Sequence, residues 1–300
     1  MSTPLLCPEV SRPPPARQSA RHNLLLAAMP VSDYELLRPE LDLVPLPLGC
    51  ALYQAGSTQE YLYFPTSGVV SEFFVTEEGS LTGVALTGSE GVMGTALLMG
   101  ARTTAGHAEV QIPGDAYRLR LGALELRFEH GGTLRDLALP YIQALITQMS
   151  LTAVCNHHHT MVQRLGRLLL LCLDRLPSSE LPLTQELIAN MLGVRREGVT
   201  VAVGVLEAAG LIHHKRGYIS VPDRSNLELR GCECYSVIRR EYERLLPPGW
   251  TGRSTHQWNK LPARTAGYRL PSSRTGAIFS KRCRPAHSDG ARAASSSTTG

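Results

Sequence analysis

The stretch that most constrains this chain is Leu183 to Ile212, LTQELIANMLGVRREGVTVAVGVLEAAGLI. Thr184 suits a helix N-cap, because its hydroxyl can accept a bond from an unpaired N–H of the first turn. Leu187, Ile188, Met191 and Leu192 then line one face of a short helix. Gly193 stands where the chain must take positive φ, which ends that helix. A second helix is predicted from about Arg195, with Val199, Ala202, Val203 and Leu206 on its buried face. Two short amphipathic helices joined by a glycine turn form a helix-turn-helix, whose second member is the recognition helix.

Arg195, Arg196, Glu197 and Thr200 fall in the first turns of the second helix, where such a helix meets base edges. Arginine can bond guanine O6 and N7 in a bidentate manner, and glutamate can accept from cytosine N4. Beyond it, Ile212 to Val221 reads as two short strands around Lys215-Arg216-Gly217, a wing with two cations at its tip. The same pattern also describes a helix pair packed on its own domain with solvated surface charge. Cap, glycine turn, cations and wing in register favour double-stranded DNA, with Arg196 and Glu197 reading bases and Arg195 and Thr200 supporting. Thr184, Lys215 and Arg216 would hold the phosphate backbone.

The chain's length of 300 residues suggests two domains. No run approaches the length of a membrane span, and no secretory leader is evident, so no membrane role is expected. Seven scattered cysteines fit reduced thiols in the cytoplasm better than a disulfide framework. Charge divides unevenly: residues 22–160 hold six basic and fourteen acidic groups, whereas 247–300 hold nine basic and one acidic. The basic tail dominates the overall balance, so local cation placement is the better guide to a nucleic-acid partner. No P-loop, dinucleotide fingerprint or ordered nucleophile, base and orienter occurs, so an enzyme is not expected.

Upstream, residues 1–21 are proline-rich and polar, and are expected to be disordered, as is the tail 247–300. Asn23–Met29 is a short helix candidate, and Ser32-Asp-Tyr-Glu35 has a capping-box sequence opening another. From Leu46 to about Leu121, short strands alternate with glycine turns, including a hairpin around Glu77-Glu-Gly-Ser80, which indicates a sandwich, barrel or jelly roll. Thr133 to about Cys155 is predicted helical. Leu139, Ile142, Ile146, Met149 and Ala153 form a heptad-like stripe beside a mixed one of Tyr141, Leu145, Gln148 and Thr152. A helix over Gln163–Leu176 should floor the helix-turn-helix, and Asp223–Leu246 reads as one terminal helix.

These segments resemble the Crp/Fnr transcription regulators. Arg196, Glu197, Gly198 and Val199 match the family's recognition-helix pattern. Tyr63-Phe64-Pro65, Gly88-Ser-Glu-Gly91, Gln163 to Leu170 and Cys232-Glu-Cys-Tyr235 extend the likeness over about Asn23 to Leu246. The resemblance implies an α+β chain: a cyclic-nucleotide-binding-like β-roll over 22–132, a dimerisation helix over 133–160 and a winged helix-turn-helix over 161–246. It also implies a homodimer on a palindromic operator and contact with RNA polymerase. Val201 stands where the family often has a second arginine.

The resemblance further implies an effector pocket around Gly94, Thr95, Arg102, Thr103 and Thr104. Nucleotide-binding members carry Gly-Glu-Leu and then Arg-Ser/Thr-Ala, the glutamate holding the ribose and the arginine the cyclic phosphate. Here Gly94 is followed by Thr95-Ala96, and the arginine position falls near Ala105. Cyclic AMP is therefore not expected as a cofactor. A small-ligand or redox sensor signalling through protein contacts is the other functional reading.

No metal site is expected. Consecutive histidines in Cys155-Asn-His-His-His159 point about 100° apart on a helix, and Cys155 with His159 supplies two ligands where structural zinc wants four. Cys232-Glu-Cys234 has no second pair nearby, and only Cys7 lies where an Fnr-type iron–sulfur cluster would need several cysteines.

Overall fold

A computed structural model of the chain describes residues 19–123 and 132–248. Most of the two terminal segments expected to be disordered therefore lies outside the described residues. Ala20–His22 form a turn of 3-10 helix with Ala20 buried, so the last residues of the segment expected to be disordered, 1–21, are ordered. Helix α1 (Leu24–Ala28) starts at Asn23, whose buried Oδ1 accepts from the Leu25 and Leu26 N–H groups. Its Nδ2 donates to the carbonyls of Pro65 and Gly91, fastening the helical lead-in to the sheet domain. Helix α2 (Val31–Leu37) forms without the predicted capping box: Pro30 occupies the cap, Ser32 turns to Asp33, and Glu35 pairs with Arg38.

Seven antiparallel strands build the β-roll. One sheet has the order β1-β7-β3, from Leu41–Leu46, Gly114–Arg120 and Tyr61–Pro65. The other is β2-β6-β4-β5, from Ala51–Tyr53, His107–Ile112, Val69–Val75 and Leu81–Thr87. The predicted hairpin is β4–β5, turning at Gly79. A short helix α3 (Thr95–Leu98) follows Gly94 between β5 and β6.

Helix α4 (Thr133–His158) is followed by α5 (Met161–Arg175), which opens on a full capping box between Thr160 and Gln163. The mixed stripe of α4 is the one buried within the chain: Tyr141, Leu145, Gln148 and Thr152 face inward. Leu139 and Ile146, of the other stripe, are 45% and 55% exposed, while Ile142 is buried. By length and apolarity alone α4 is long enough to cross a membrane, which the sequence reading did not foresee. Its buried polar groups argue for a different setting. The Gln148 side chain donates to the Leu86 carbonyl and to the Tyr242 hydroxyl, and Thr152 accepts from Arg167. That face is committed to the rest of the chain.

The winged domain contains β8 (Glu180–Leu181), α6 (Gln185–Leu192), α7 (Arg196–Ala208), β9 (His213–Lys215) and β10 (Tyr218–Ser220). The single terminal helix expected over Asp223–Leu246 is two helices, α8 (Arg224–Arg230) and α9 (Glu233–Leu245). Asp223 caps the first through the Asn226 N–H, and Gly231-Cys232 breaks the path before α9 begins. Cys155, Cys172, Cys232 and Cys234 are free thiols.

The β-roll, α4, α5 and α9 meet at a buried polar junction. Arg175 at the end of α5 lies 2.8 Å from Glu90, with both side chains sealed from solvent. Glu90 also accepts from the Gly88 N–H, and Arg175 donates to the Leu171 carbonyl. Burial opposes the charge on Arg175, but the Glu90 carboxylate holds its pKa above the ordinary range. Tyr141 bonds Thr87 at 2.9 Å and stands edge-on to Tyr242. A Cβ on Gly91 would fall 2.2 Å from the Tyr141 ring, so glycine is required there by close approach.

Removing one partner of a buried pair leaves an uncompensated charge, whereas apolar replacement of both can be neutral. Glu90→Ala should therefore lower stability by about 3–5 kcal/mol, and Glu90→Leu with Arg175→Met should recover most of the loss, read by urea unfolding. Inside the roll, burial pushes the Glu72 carboxyl up to about 7, with the Tyr53 hydroxyl opposing the rise. The folded state then holds this proton more tightly than the unfolded chain. The stability Glu72 contributes is full below about pH 4.5 and is lost as the pH climbs through about 7. Burial lowers the pKa of His107, which acts with the opposite sign. The difference between wild type and Glu72→Gln isolates the carboxyl: the wild-type urea midpoint should fall relative to the variant across that window.

Candidate nucleic-acid interface

Helix α6 is capped as predicted, the Leu187 N–H donating to the Thr184 hydroxyl at 3.1 Å. It buries Ile188, Ala189, Met191 and Leu192 and ends at Gly193, which adopts φ 62 and ψ 44. A Cβ there would also meet Thr82 Oγ1 at 2.6 Å, because the turn rests on β5. Helix α7 begins one residue beyond its cap, Arg195, and buries Val199, Ala202, Val203 and Leu206, the predicted face.

Arg195, Arg196 and Glu197 are all exposed at the start of α7. Thr200 donates to Gln185 Oε1 at 2.8 Å, linking α7 to the first turn of α6. Arg164 on α5 donates to the Leu192 carbonyl at 2.6 Å and braces the turn from beneath. The angle between the two helices is thus set by apolar burial and two side-chain ties, while the cationic end of α7 faces solvent.

The wing is a hairpin of β9 and β10 pairing Lys215 with Tyr218, so Arg216 and Gly217 form the tip and Lys215 its shoulder. A third strand, β8, completes the sheet beside β10. Two residues are too few to leave a periodic signal, so the sequence reading missed it. Val201, Val205 and Tyr218 are all exposed although apolar or aromatic, with Val201 68% exposed. Val201 and Val205 lie on the solvent side of α7 with Glu197, at four-residue spacing. The signal was present in the sequence: these valines fall outside the stripe that includes Val199 and Val203.

In the β-roll, Gly94 is buried, whereas Arg102 and Thr103 are exposed and Thr104 is half-buried. The Arg102 carbonyl accepts from the Gln59 N–H, and the Gly94 backbone bonds the Tyr53 hydroxyl. The nearby cavity, of about 210 Å³, is lined by Leu52, Tyr53, Gln59, Tyr61 and Tyr63 among others. The predicted effector residues Gly94, Thr95, Arg102, Thr103 and Thr104 are not among those that line this cavity. Gln59 is buried with neither side-chain polar atom hydrogen-bonded. The acidic side chain inside the roll is Glu72, on β4.

The two cysteine motifs, each set aside for want of a partner pair, are brought together. Cys155, His159, Cys232 and Cys234 place their ligating atoms within 4.8 Å of one another. The expectation that Cys232 and Cys234 lack a second pair holds along the chain but fails in space.

The Crp-like helix-turn-helix domain family matches residues 163–230. No curated protein sequence matches the chain. Among solved structures, the fold is similar to that of a Crp/Fnr-family transcriptional regulator from Eubacterium rectale, at 17% identity and TM-score 0.56, covering 69% of this chain and 97% of that one. FixK2 from Bradyrhizobium japonicum is similar at 17% identity and TM-score 0.56, covering 64% of this chain and 98% of its own. CLP, a c-di-GMP-responsive global regulator of Xanthomonas campestris, is similar at 15% identity and TM-score 0.52, with 64% and 99% covered. Residues 163–230 are therefore a Crp-like helix-turn-helix domain, and the chain as a whole shares the fold of these regulators.

Proposed function

We propose that the protein acts in the cytoplasm as a homodimeric transcription regulator that reads a two-fold symmetric operator and does not respond to cyclic AMP. The observation that carries this reading is the solvent-facing start of α7, where Arg195, Arg196 and Glu197 stand together above a fully buried apolar face. Arg196 and Glu197 read bases, Arg195 supports them, and Thr200 holds the register through Gln185. Lys215 and Arg216 meet phosphate at the wing, and the N-terminus of α6 at Thr184 offers backbone N–H groups to another. Exposed Val201 suits apolar contact with a thymine methyl in place of the family's second arginine.

Dimerisation is supported by the outward stripe of α4, where Leu139, Ile146 and Val154 are exposed. Two recognition helices about one DNA turn apart then meet two half-sites. RNA polymerase is the expected downstream partner by family likeness. The pocket reading rests on charge. After Gly94 the family's ribose-binding glutamate is replaced by Thr95-Ala96, and Ala105 stands near the phosphate-binding arginine position, so both charge-assisted contacts to a cyclic nucleotide are missing. The buried, unbonded Gln59 amide in the adjoining cavity favours a neutral polar ligand, the sensor role kept as a second reading.

In selection from random duplex DNA, residues 22–246 should enrich a two-fold symmetric motif. Arg196→Ala should weaken binding to that motif by about 1–3 kcal/mol and relax preference at one base position. Equal affinity of variant and wild type would overturn the assignment of α7. Ile146→Asp should shift the protein to monomers in sedimentation and abolish half-site cooperativity. Millimolar cyclic AMP should leave the melting temperature unchanged; a rise of several degrees would overturn the pocket reading.

A further inference from the structure

The four residues Cys155, His159, Cys232 and Cys234 come from two helix ends 77 residues apart in sequence. Cys155 lies in the last turn of α4 and His159 is its C-cap; Cys232 is the N-cap of α9 and Cys234 lies in its first turn. The Cys155 and Cys232 sulfurs are 3.6 Å apart, as are Cys234 Sγ and His159 Nδ1. The three cysteines are buried in a small apolar cluster of their own, separate from the main core.

We propose that these residues form a mononuclear, tetrahedral Cys3His zinc site that clasps the start of α9 to the end of α4. Zinc–sulfur bonds of about 2.3 Å and zinc–nitrogen bonds of about 2.0 Å place tetrahedral ligand atoms roughly 3.5–3.8 Å apart. The two measured separations fall in that range, and the outermost pairs, within 4.8 Å, need to close by about an ångström or less. A multi-iron cluster would need its thiolates spread wider than this. The chemistry around the four atoms agrees. Nδ1 of His159 faces the sulfurs, while its Nε2 lies 3.4 Å from Glu233 Oε2, the carboxylate–histidine arrangement that orients a metal-bound imidazole.

Charge supplies a separate argument. Arg167 is buried, donates to Thr152, and has no carboxylate within ion-pair distance among the described residues. It acts electrostatically on Cys155, as does Arg164. Zinc with three thiolates and one neutral imidazole has a net charge of −1, which these guanidinium groups would balance. On binding, the three S–H protons leave to solvent and three Zn–S bonds form, with no change in oxidation state.

The full chain, expressed without a polyhistidine tag, should carry one zinc ion per chain by plasma mass spectrometry. Cys155→Ser and Cys232→Ser should each lower that content to about a tenth or less, and Glu233→Gln should weaken affinity roughly tenfold or more. Cys172→Ser, a buried thiol elsewhere, and His157→Ala with His158→Ala, two exposed neighbours, should leave it unchanged. Cobalt titrated into metal-stripped wild type gives a reading that does not depend on the folding of a cysteine variant. Intense ligand-field bands and a thiolate charge-transfer band, saturating at one equivalent, are expected. Zinc content unchanged in the cysteine variants, loss of zinc with the exposed histidines, native iron, a Cys155–Cys232 disulfide in the purified protein, or weak octahedral cobalt bands would each overturn the proposal.

Discussion

The fold depends on the sealed ion pair of Glu90 and Arg175. Glu90 belongs to the Gly88–Gly91 turn that leaves β5, and Arg175 is the last residue of α5, the helix beneath the helix-turn-helix. An isolated charge at either position would be prohibitive to bury, so each element can dock only where the other has already placed its partner. Around the pair, Tyr141 brings in α4 and Tyr242 brings in α9, and Gln148 joins that tyrosine to the Leu86 backbone on β5. The β-roll, long helix and DNA-binding half therefore share one buried polar junction.

That junction has a mechanical consequence. The turn between α6 and α7 rests on β5, where Gly193 leaves room for Thr82 and Gly83 faces the Met191 carbonyl. Backbone packed this closely transmits displacement, because there is no compliant side chain to absorb it. A shift of β5 would move the turn, and with it the recognition helix held through Arg164 and Thr200. On the proposed function, an event in the β-roll reaches DNA by this short path.

What was legible in the sequence is what local chemistry decides. Thr184, Gly193 and the Val199–Leu206 stripe each act over a few residues, so the cap, turn and buried face of the helix-turn-helix followed directly. The β4–β5 hairpin was legible for the same reason. Failures came where position overrides local pattern. Ser32-Asp-Tyr-Glu35 has the letters of a capping box, but Pro30 takes the cap and Arg38 takes the glutamate. Asp223–Leu246 is amphipathic enough for one helix, yet Gly231 divides it. The cysteine cluster was illegible in principle, since i,i+4 and i,i+2 pairs carry no information about which distant pair they will face.

The recognition surface is sparing in charge. Arg195 and Arg196 are the cations of α7, partly offset by Glu197, and the helix continues outward with Val201, Gly204 and Val205. Apolar contacts to thymine methyls discriminate more weakly than a bidentate arginine on guanine, so one half-site conveys little sequence information. The acidic excess of residues 22–160 works against close approach to phosphate. On the proposed function, both facts shift the burden of affinity and selectivity to duplication: a symmetric pair doubles the base contacts, and its spacing adds a geometric requirement that no single helix can impose. In the proposed homodimer the exposed apolar stripe of α4 and the sparing chemistry of α7 are one feature, since a weak reader gains selectivity when a second copy is held at a fixed distance.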